Sequence, residues 1–306
     1  MKMAAKATRR VLRDITIAAS VLAGAVSTLL MSSTPVGAAT VDGFEVHSTV
    51  TGNGSTTVFL IHGYTCDETT WAEQLHILAR QYRVVTVDLP GHGKSGRPAA
   101  DQFSMDLFAR AIEAVRLDIK VDRIVLAGHS MGTPVILKYA NLYPEHTAAL
   151  VFVDGLMSAA PTANGRPARP AGSAASATAS PQSAGARMGG PNGRQNREAM
   201  VRRFFLPTTT PAVQQKVLDM MLGAPEATAV GAMSASNDPA GRTIDVPDVP
   251  MIGIYAEPNP VASREVVLRN FPKASYAQVP GTGHFLMLEK PVEFNALLLG
   301  FLATLR

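Results

Sequence analysis

The sequence predicts an α/β protein with a doubly wound, mostly parallel sheet, a small helical cap and a flexible insertion. Three observations carry the prediction. Short apolar runs recur: Val58-Phe59-Leu60-Ile61, Val84-Val85-Thr86-Val87, Ile124-Val125-Leu126-Ala127, Ala149-Leu150-Val151-Phe152-Val153 and Met251-Ile252-Gly253-Ile254-Tyr255. None alternates polar with apolar, which is how strands covered on both faces read. Helix-length segments separate them, at Trp71 to Gln81, Met105 to Leu117, Thr133 to Leu142 and Glu293 to Leu305. In the second, Leu107, Phe108, Ala111, Ile112 and Val115 recur at three and four, the stripe of a core-facing helix. Strand and helix in strict alternation give a layered α/β sheet.

The first element is a label. Lys2, Lys6, Arg9, Arg10 and Arg13 precede the apolar run Ile15 to Met31, and small residues follow from Ser32 to Ala39. This is the order of a secretory signal, with small-x-small cleavage sites at Val36-Gly37-Ala38 and Gly37-Ala38-Ala39. Thr8-Arg9-Arg10-Val11-Leu12-Arg13 also resembles the twin-arginine export motif. The alternative, a retained anchor, is disfavoured because a span needs roughly 20 apolar residues and this run is shorter. Residues 1–39 are therefore expected to be removed, leaving a periplasmic or extracellular protein with no stable membrane insertion.

Removal also changes the charge. The 306 residues carry 28 Lys and Arg against 24 Asp and Glu. The five N-terminal bases leave with one acid, Asp14, so the mature chain is balanced. A basic pI then gives no reason to expect a nucleic-acid partner. The single cysteine, Cys66, excludes an intramolecular disulfide framework and a multi-cysteine zinc site.

After Gly155 the rhythm breaks. Ser158 to Met200 is mostly Ala, Gly, Pro and Ser without an aromatic residue, a composition too poor in apolar surface to offset the entropy of ordering. Residues 156–200 read as a flexible, solvated insertion whose arginines give a local positive charge. Residues 201–246 read as a helical cap, in which Phe204, Phe205, Met220 and Met221 could be cap core or wall an apolar pocket. The α/β core is then 40–155 and 247–306.

Two features carry chemistry. Gly128-His129-Ser130-Met131-Gly132 follows a buried run and precedes a helix, the setting of a nucleophile elbow. The turn is tight enough to require small residues two before and two after the serine. It raises Ser130 Oγ above the sheet and aims the Met131 N–H at a developing oxyanion. A serine needs a base to take its proton. His284, in Gly281-Thr282-Gly283-His284-Phe285, follows the last strand-like segment, Tyr276 to Val279, where the chain order Ser, acid, His puts it. His47, His76, His92, His129 and His146 stand in the wrong order or on other elements and read as packing residues.

With these segments the chain resembles the α/β-hydrolase fold serine hydrolases, an esterase- and lipase-like superfamily. The resemblance rests on His62-Gly63-Tyr64, Asp88-Leu89-Pro90-Gly91-His92-Gly93-Lys94-Ser95, Gly128 to Gly132, and Gly283-His284-Phe285 with Glu289-Lys290-Pro291. It implies that Tyr64 supplies the second oxyanion-hole N–H and that Asp88 is structural. Serine at 130 argues against the dehalogenase and epoxide hydrolase relatives, which attack with a carboxylate. Most relatives carry the acid after the strand matching Met251 to Tyr255, where this chain has Ala256-Glu257-Pro258-Asn259. Asn259 holds no charge, so the acid is expected at Asp154, the position that some relatives use, with Glu257 as the alternative. The expected activity is that of a carboxylesterase on a small-molecule ester, with no cofactor and no metal. A perhydrolase or acyltransferase, a lactone, amide or C–C hydrolase, and an inactive binding protein on the same fold are the competing readings.

Overall fold

The computed structural model describes residues 34–35, 39–155, 180–239, 245–259 and 262–305. Residues 1–33 and 36–38 of the expected signal, and residues 156–179 of the expected insertion, lie outside the described residues. Among the described residues no helix is long and apolar enough to cross a membrane.

The runs read as strands are strands. β5 (Thr57–Ile61), β6 (Arg83–Val87), β7 (Ile124–His129), β8 (Thr147–Val153), β9 (Met251–Glu257) and β10 (Ser275–Pro280) pair in parallel. Every residue of β5 and β7 is buried, as expected of a sheet covered on both faces. The sequence runs missed the amino-terminal part. β4 (Ser48–Thr51) adds antiparallel to β6, and the two-residue β1 (Thr34–Pro35) adds to β4. The sheet order is β1-β4-β6-β5-β7-β8-β9-β10. β2 (Ala39–Val41) and β3 (Phe44–Val46) form a separate hairpin around Asp42-Gly43, both at positive φ, as a tight primed turn requires.

The order reverses at β5. The chain leaves it toward β6, then returns to lay β7 on its other side. The carboxyl ends of β5 and β7 therefore diverge at a switch point, the crevice where α/β sheets place ligands. The loop after β5 brings Tyr64 there, and the turn after β7 brings Ser130.

The helices fall close to expectation. A 3₁₀ turn at Glu68–Trp71, capped by Asp67, leads into α1 (Ala72–Leu78). α2 (Met105–Asp118) is capped by Ser104, whose hydroxyl accepts from Leu107 N. α3 (Gly132–Leu142) starts at the elbow, and α8 (Arg264–Asn270), α9 (Leu286–Glu289) and α10 (Pro291–Ala303) close the chain.

The expected insertion needs a correction. Within 156–200, α4 (Pro181–Ala186) and α5 (Gly193–Arg202) are ordered helices. The helical cap thus begins at Pro181, before the expected 201, and continues through α6 (Pro211–Gly223) and α7 (Glu226–Asn237). The small residues that suggested disorder serve close packing. A Cβ on Gly185 would lie 2.0 Å from Ser234 Oγ and 2.5 Å from Val230 O of α7. Glycine lets α4 approach α7 closely enough to share backbone contacts.

Candidate active site

The elbow is built by crowding. Ser130 has φ +53°, the left-handed region that costs a β-branched or bulky residue most. A Cβ on Gly128 would lie 2.4 Å from Gly132 O, and one on Gly132 would lie 2.6 Å from Ile61 O. Both flanking positions must be glycine for the strand to turn so sharply into α3. Ser130 N donates to Val153 O at 2.9 Å, which ties the elbow to the end of β8. One residue on, Asp154 also has positive φ, and its own N–H donates to Ile254 O at 3.0 Å.

Asp154 meets His284. Its Oδ2 lies 2.6 Å from His284 Nδ1, with the two side chains 7% and 16% exposed. Oδ1 accepts from Ala256 N at 2.9 Å and from Asn259 Nδ2 at 2.8 Å. Burial pushes the Asp154 carboxyl upward. The His284 hydrogen bond and charge, the Ala256 N–H and the Asn259 amide together outweigh it and hold the carboxyl below its ordinary value. Glu257 is exposed at the end of β9 and forms no ion pair among the described residues. Asn259, which sequence reasoning set aside for lacking charge, thus serves as a donor to the carboxylate at the end of the neighbouring strand.

His284 is held from both sides. His129 Nε2–H donates to His284 O at 2.9 Å, with the two rings 4.7 Å apart. Burial, then the neighbouring His284, lowers the His129 pKa to about 3, so its ring stays neutral. The reading of His129 as a packing residue understates this contact with the His284 loop. Above, the Phe204 ring stands 4.4 Å from the His284 ring, and Phe204 O accepts from His284 N at 3.0 Å. Glu289 Oε2 accepts from Gly283 N and from Thr209 of the cap. The cap is thereby stitched to the histidine loop.

The loop after β5 is held in turn. His62 Nδ1–H donates to Gly63 O at 2.8 Å and Nε2 accepts from Leu89 N at 3.0 Å, which accounts for the His-Gly motif. Tyr64 OH donates to Ala229 O of α7 at 2.9 Å. The N–H groups of Tyr64 and Met131 donate to no protein acceptor among the described residues. Cys66 is buried, donates to Tyr64 O at 3.4 Å, and has its thiol pKa pushed up by burial.

Asp88 sits in the adjoining loop. Its oxygens accept from Glu68 N and Lys94 N, and a Cβ on Gly93 would lie 2.1 Å from Oδ2. His47, Glu68 and Asp88 bring ligand atoms within 4.8 Å of one another. Glu68 is already engaged by Lys94, Thr49 and Thr86, so the group reads as a brace for the loop.

Composition alone gave no warning of one residue. The arginines of 156–200 were expected to be solvated, yet Arg197 of α5 is 6% exposed.

The comparisons agree with this architecture. A model of the alpha/beta hydrolase family matches residues 58–297. The dihydrolipoyllysine-residue acetyltransferase component of the acetoin cleaving system from Pseudomonas putida is 35% identical over 102 residues, 33% of this chain and 27% of that protein. A 2-hydroxy-6-oxononadienedioate/2-hydroxy-6-oxononatrienedioate hydrolase from Paraburkholderia phymatum is 35% identical over 115 residues, 36% of this chain and 40% of its own length. The chain thus spans less than half of each of these curated relatives. A thermophilic esterase from Thermogutta terrifontis superposes with a TM-score of 0.74 at 22% identity, over 90% of this chain and 99% of the esterase, which shows the shared fold. With its family model matched from the strand before the His-Gly loop into the last helix, the chain belongs to the alpha/beta hydrolase family.

Proposed function

We propose that this alpha/beta hydrolase is an exported serine hydrolase acting on carboxylic esters. The reading rests above all on the 2.6 Å contact between Asp154 Oδ2 and His284 Nδ1. Ser130 Oγ attacks the ester carbonyl carbon while its proton passes to His284 Nε2. The N–H groups of Tyr64 and Met131 hold the negative oxygen of the tetrahedral intermediate. Asp154 fixes the imidazole with its proton on Nδ1 and stabilises the imidazolium. As the C–O bond breaks, His284 returns the proton to the leaving alkoxide. Water, deprotonated by the same histidine, then releases the acid from Ser130.

Export is supported by the basic, apolar and small-residue order of residues 1–39. Intact mass of the protein recovered outside the cytoplasm tests it, with a new amino terminus near Ala39 as the expected result. The chemistry is tested with a fluorophosphonate probe. One adduct on the folded protein, lost in Ser130→Ala, is expected together with turnover of 4-nitrophenyl esters. Folded protein that takes no label overturns the reading.

A further inference from the structure

Arg197 is the unusual residue of the cap. Gly193, Arg197 and Val201 are the buried positions of α5, spaced by four and so on one face, which points inward. The guanidinium Nε and Nη1 are buried and have no hydrogen-bond partner. Arg197 forms no ion pair among the described residues. Glu198, its neighbour on the helix, is committed to Arg202 at 2.6 Å. Outside the described residues the only Asp or Glu is Asp14, in the segment read as a removable signal. Buried charges are normally paired, because an unpaired one forgoes its hydration for nothing.

Its surroundings say what the pair would be. α5 ends at Arg202, and Phe204, whose ring stands 4.4 Å from that of His284, follows it by two residues. Burial pushes the Tyr64 phenol up, and the positive charge of Arg197 within electrostatic reach acts against it. The cap that carries Arg197 thus adjoins both the loop after the first central strand, through Tyr64 and Ala229, and the His284 loop, through Phe204.

We propose that Arg197 anchors a carboxylate borne by the substrate, so that the site prefers anionic esters, such as hemiesters of short dicarboxylic acids, over neutral ones. The planar fork of an arginine matches a carboxylate with two parallel hydrogen bonds. The proposal rests on the serine hydrolase reading above for the location of the reacting carbonyl.

The test compares 4-nitrophenyl hemiesters of succinate, glutarate and adipate with the neutral butyrate, valerate and hexanoate esters. The protein is expected to favour at least one hemiester over its neutral partner by about 10-fold or more in kcat/KM, the worth of a charge-assisted hydrogen bond. Arg197→Met is expected to remove that preference, a fall of about 10-fold in the ratio, and Arg197→Lys to retain part of it. Removing an unpaired buried charge is also expected to leave the melting temperature unchanged or raised. A large fall in melting temperature shows a structural arginine and overturns the proposal. So does a preference ratio that Arg197→Met leaves unchanged, or hydrolysis of neutral esters with no hemiester preference, a result under which the serine hydrolase reading stands. Calorimetric binding of monomethyl glutarate to Ser130→Ala is independent of turnover. Binding that Arg197→Met abolishes supports the anion site even where no ester is cleaved, and binding that survives it, or none, overturns it.

Discussion

Asn259 donates its side-chain amide to Asp154 Oδ1 at 2.8 Å, so the end of β9 supports a carboxylate that stands at the end of β8. The two loops at which an acid could stand are joined at Asp154 Oδ1, with the charge just after β8 and the donors, Ala256 N and Asn259 Nδ2, at the end of β9 and just beyond it. Asp154→Asn is expected to lower kcat by up to about 10⁴-fold, because an amide fixes the wrong tautomer of the histidine. Glu257→Gln, an exposed change, is expected to stay within roughly twofold. Asn259→Ala keeps the charge and loses one donor, for which about a tenfold loss is expected. Steady-state kinetics on one ester separate the three, and the reverse ranking of Asp154 and Glu257 would displace Asp154 from its role.

The elbow predicts a stability effect. Gly132→Ala places a Cβ 2.6 Å from Ile61 O and 2.8 Å from His62 O, backbone atoms inside a fully buried strand end. The expected loss is about 3 kcal/mol, at the severe end for overpacking. Gly223, at the end of α6, has nothing within 4 Å of a built Cβ. Gly223→Ala is expected to be neutral or to stabilise by about 0.5 kcal/mol. Urea denaturation of the pair reads both signs in one experiment.

Acid stability turns on Glu68. Burial pushes its carboxyl upward, yet hydrogen bonds from Lys94, Thr49 and Thr86 bring it down from the ordinary 4.5 to about 2. A depressed folded pKa means stability that is fully present above the unfolded value. That stability is lost as pH falls from about 4.5 toward about 2. Glu68→Gln is therefore expected to be less stable near neutrality by roughly 2 kcal/mol. The gap to the parent protein should close over that acidic window. Denaturation midpoints that stay separated by a constant amount down to the acid limit count against the brace.

His129 supplies a prediction about the base. Its Nε2–H holds the His284 carbonyl, and His129→Phe keeps the bulk while losing that bond. A base loop displaced by a fraction of an ångström is expected to lower kcat roughly 10- to 100-fold with KM little changed. Burst kinetics on a 4-nitrophenyl ester locate the loss in acylation. An unaltered acylation rate would reduce His129 to filler.

How far these features were legible differs by kind. The central strands were legible because burial on both faces leaves an unbroken apolar run, as in Ala149 to Val153. The crowding at Gly128 and Gly132 was legible because a tight turn constrains residue type locally. β4 was not, since a four-residue edge strand such as Ser48–Thr51 carries too few residues for a pattern. α4 and α5 were hidden because the Gly and Ala that let helices approach closely are also what a disordered segment contains. Asn259 was read only for the charge it lacks, and its donor role appears once β8 and β9 are neighbours. Arg197 had no signal at all, because burial on the inner face of a cap helix is a property of the tertiary structure.

The cap and the histidine loop share a backbone hydrogen bond, Phe204 O with His284 N, and a side-chain clasp, Thr209 with Glu289. Through these two ties, any displacement of the cap would be passed to the backbone of His284, so the position of the imidazole depends on where the cap rests.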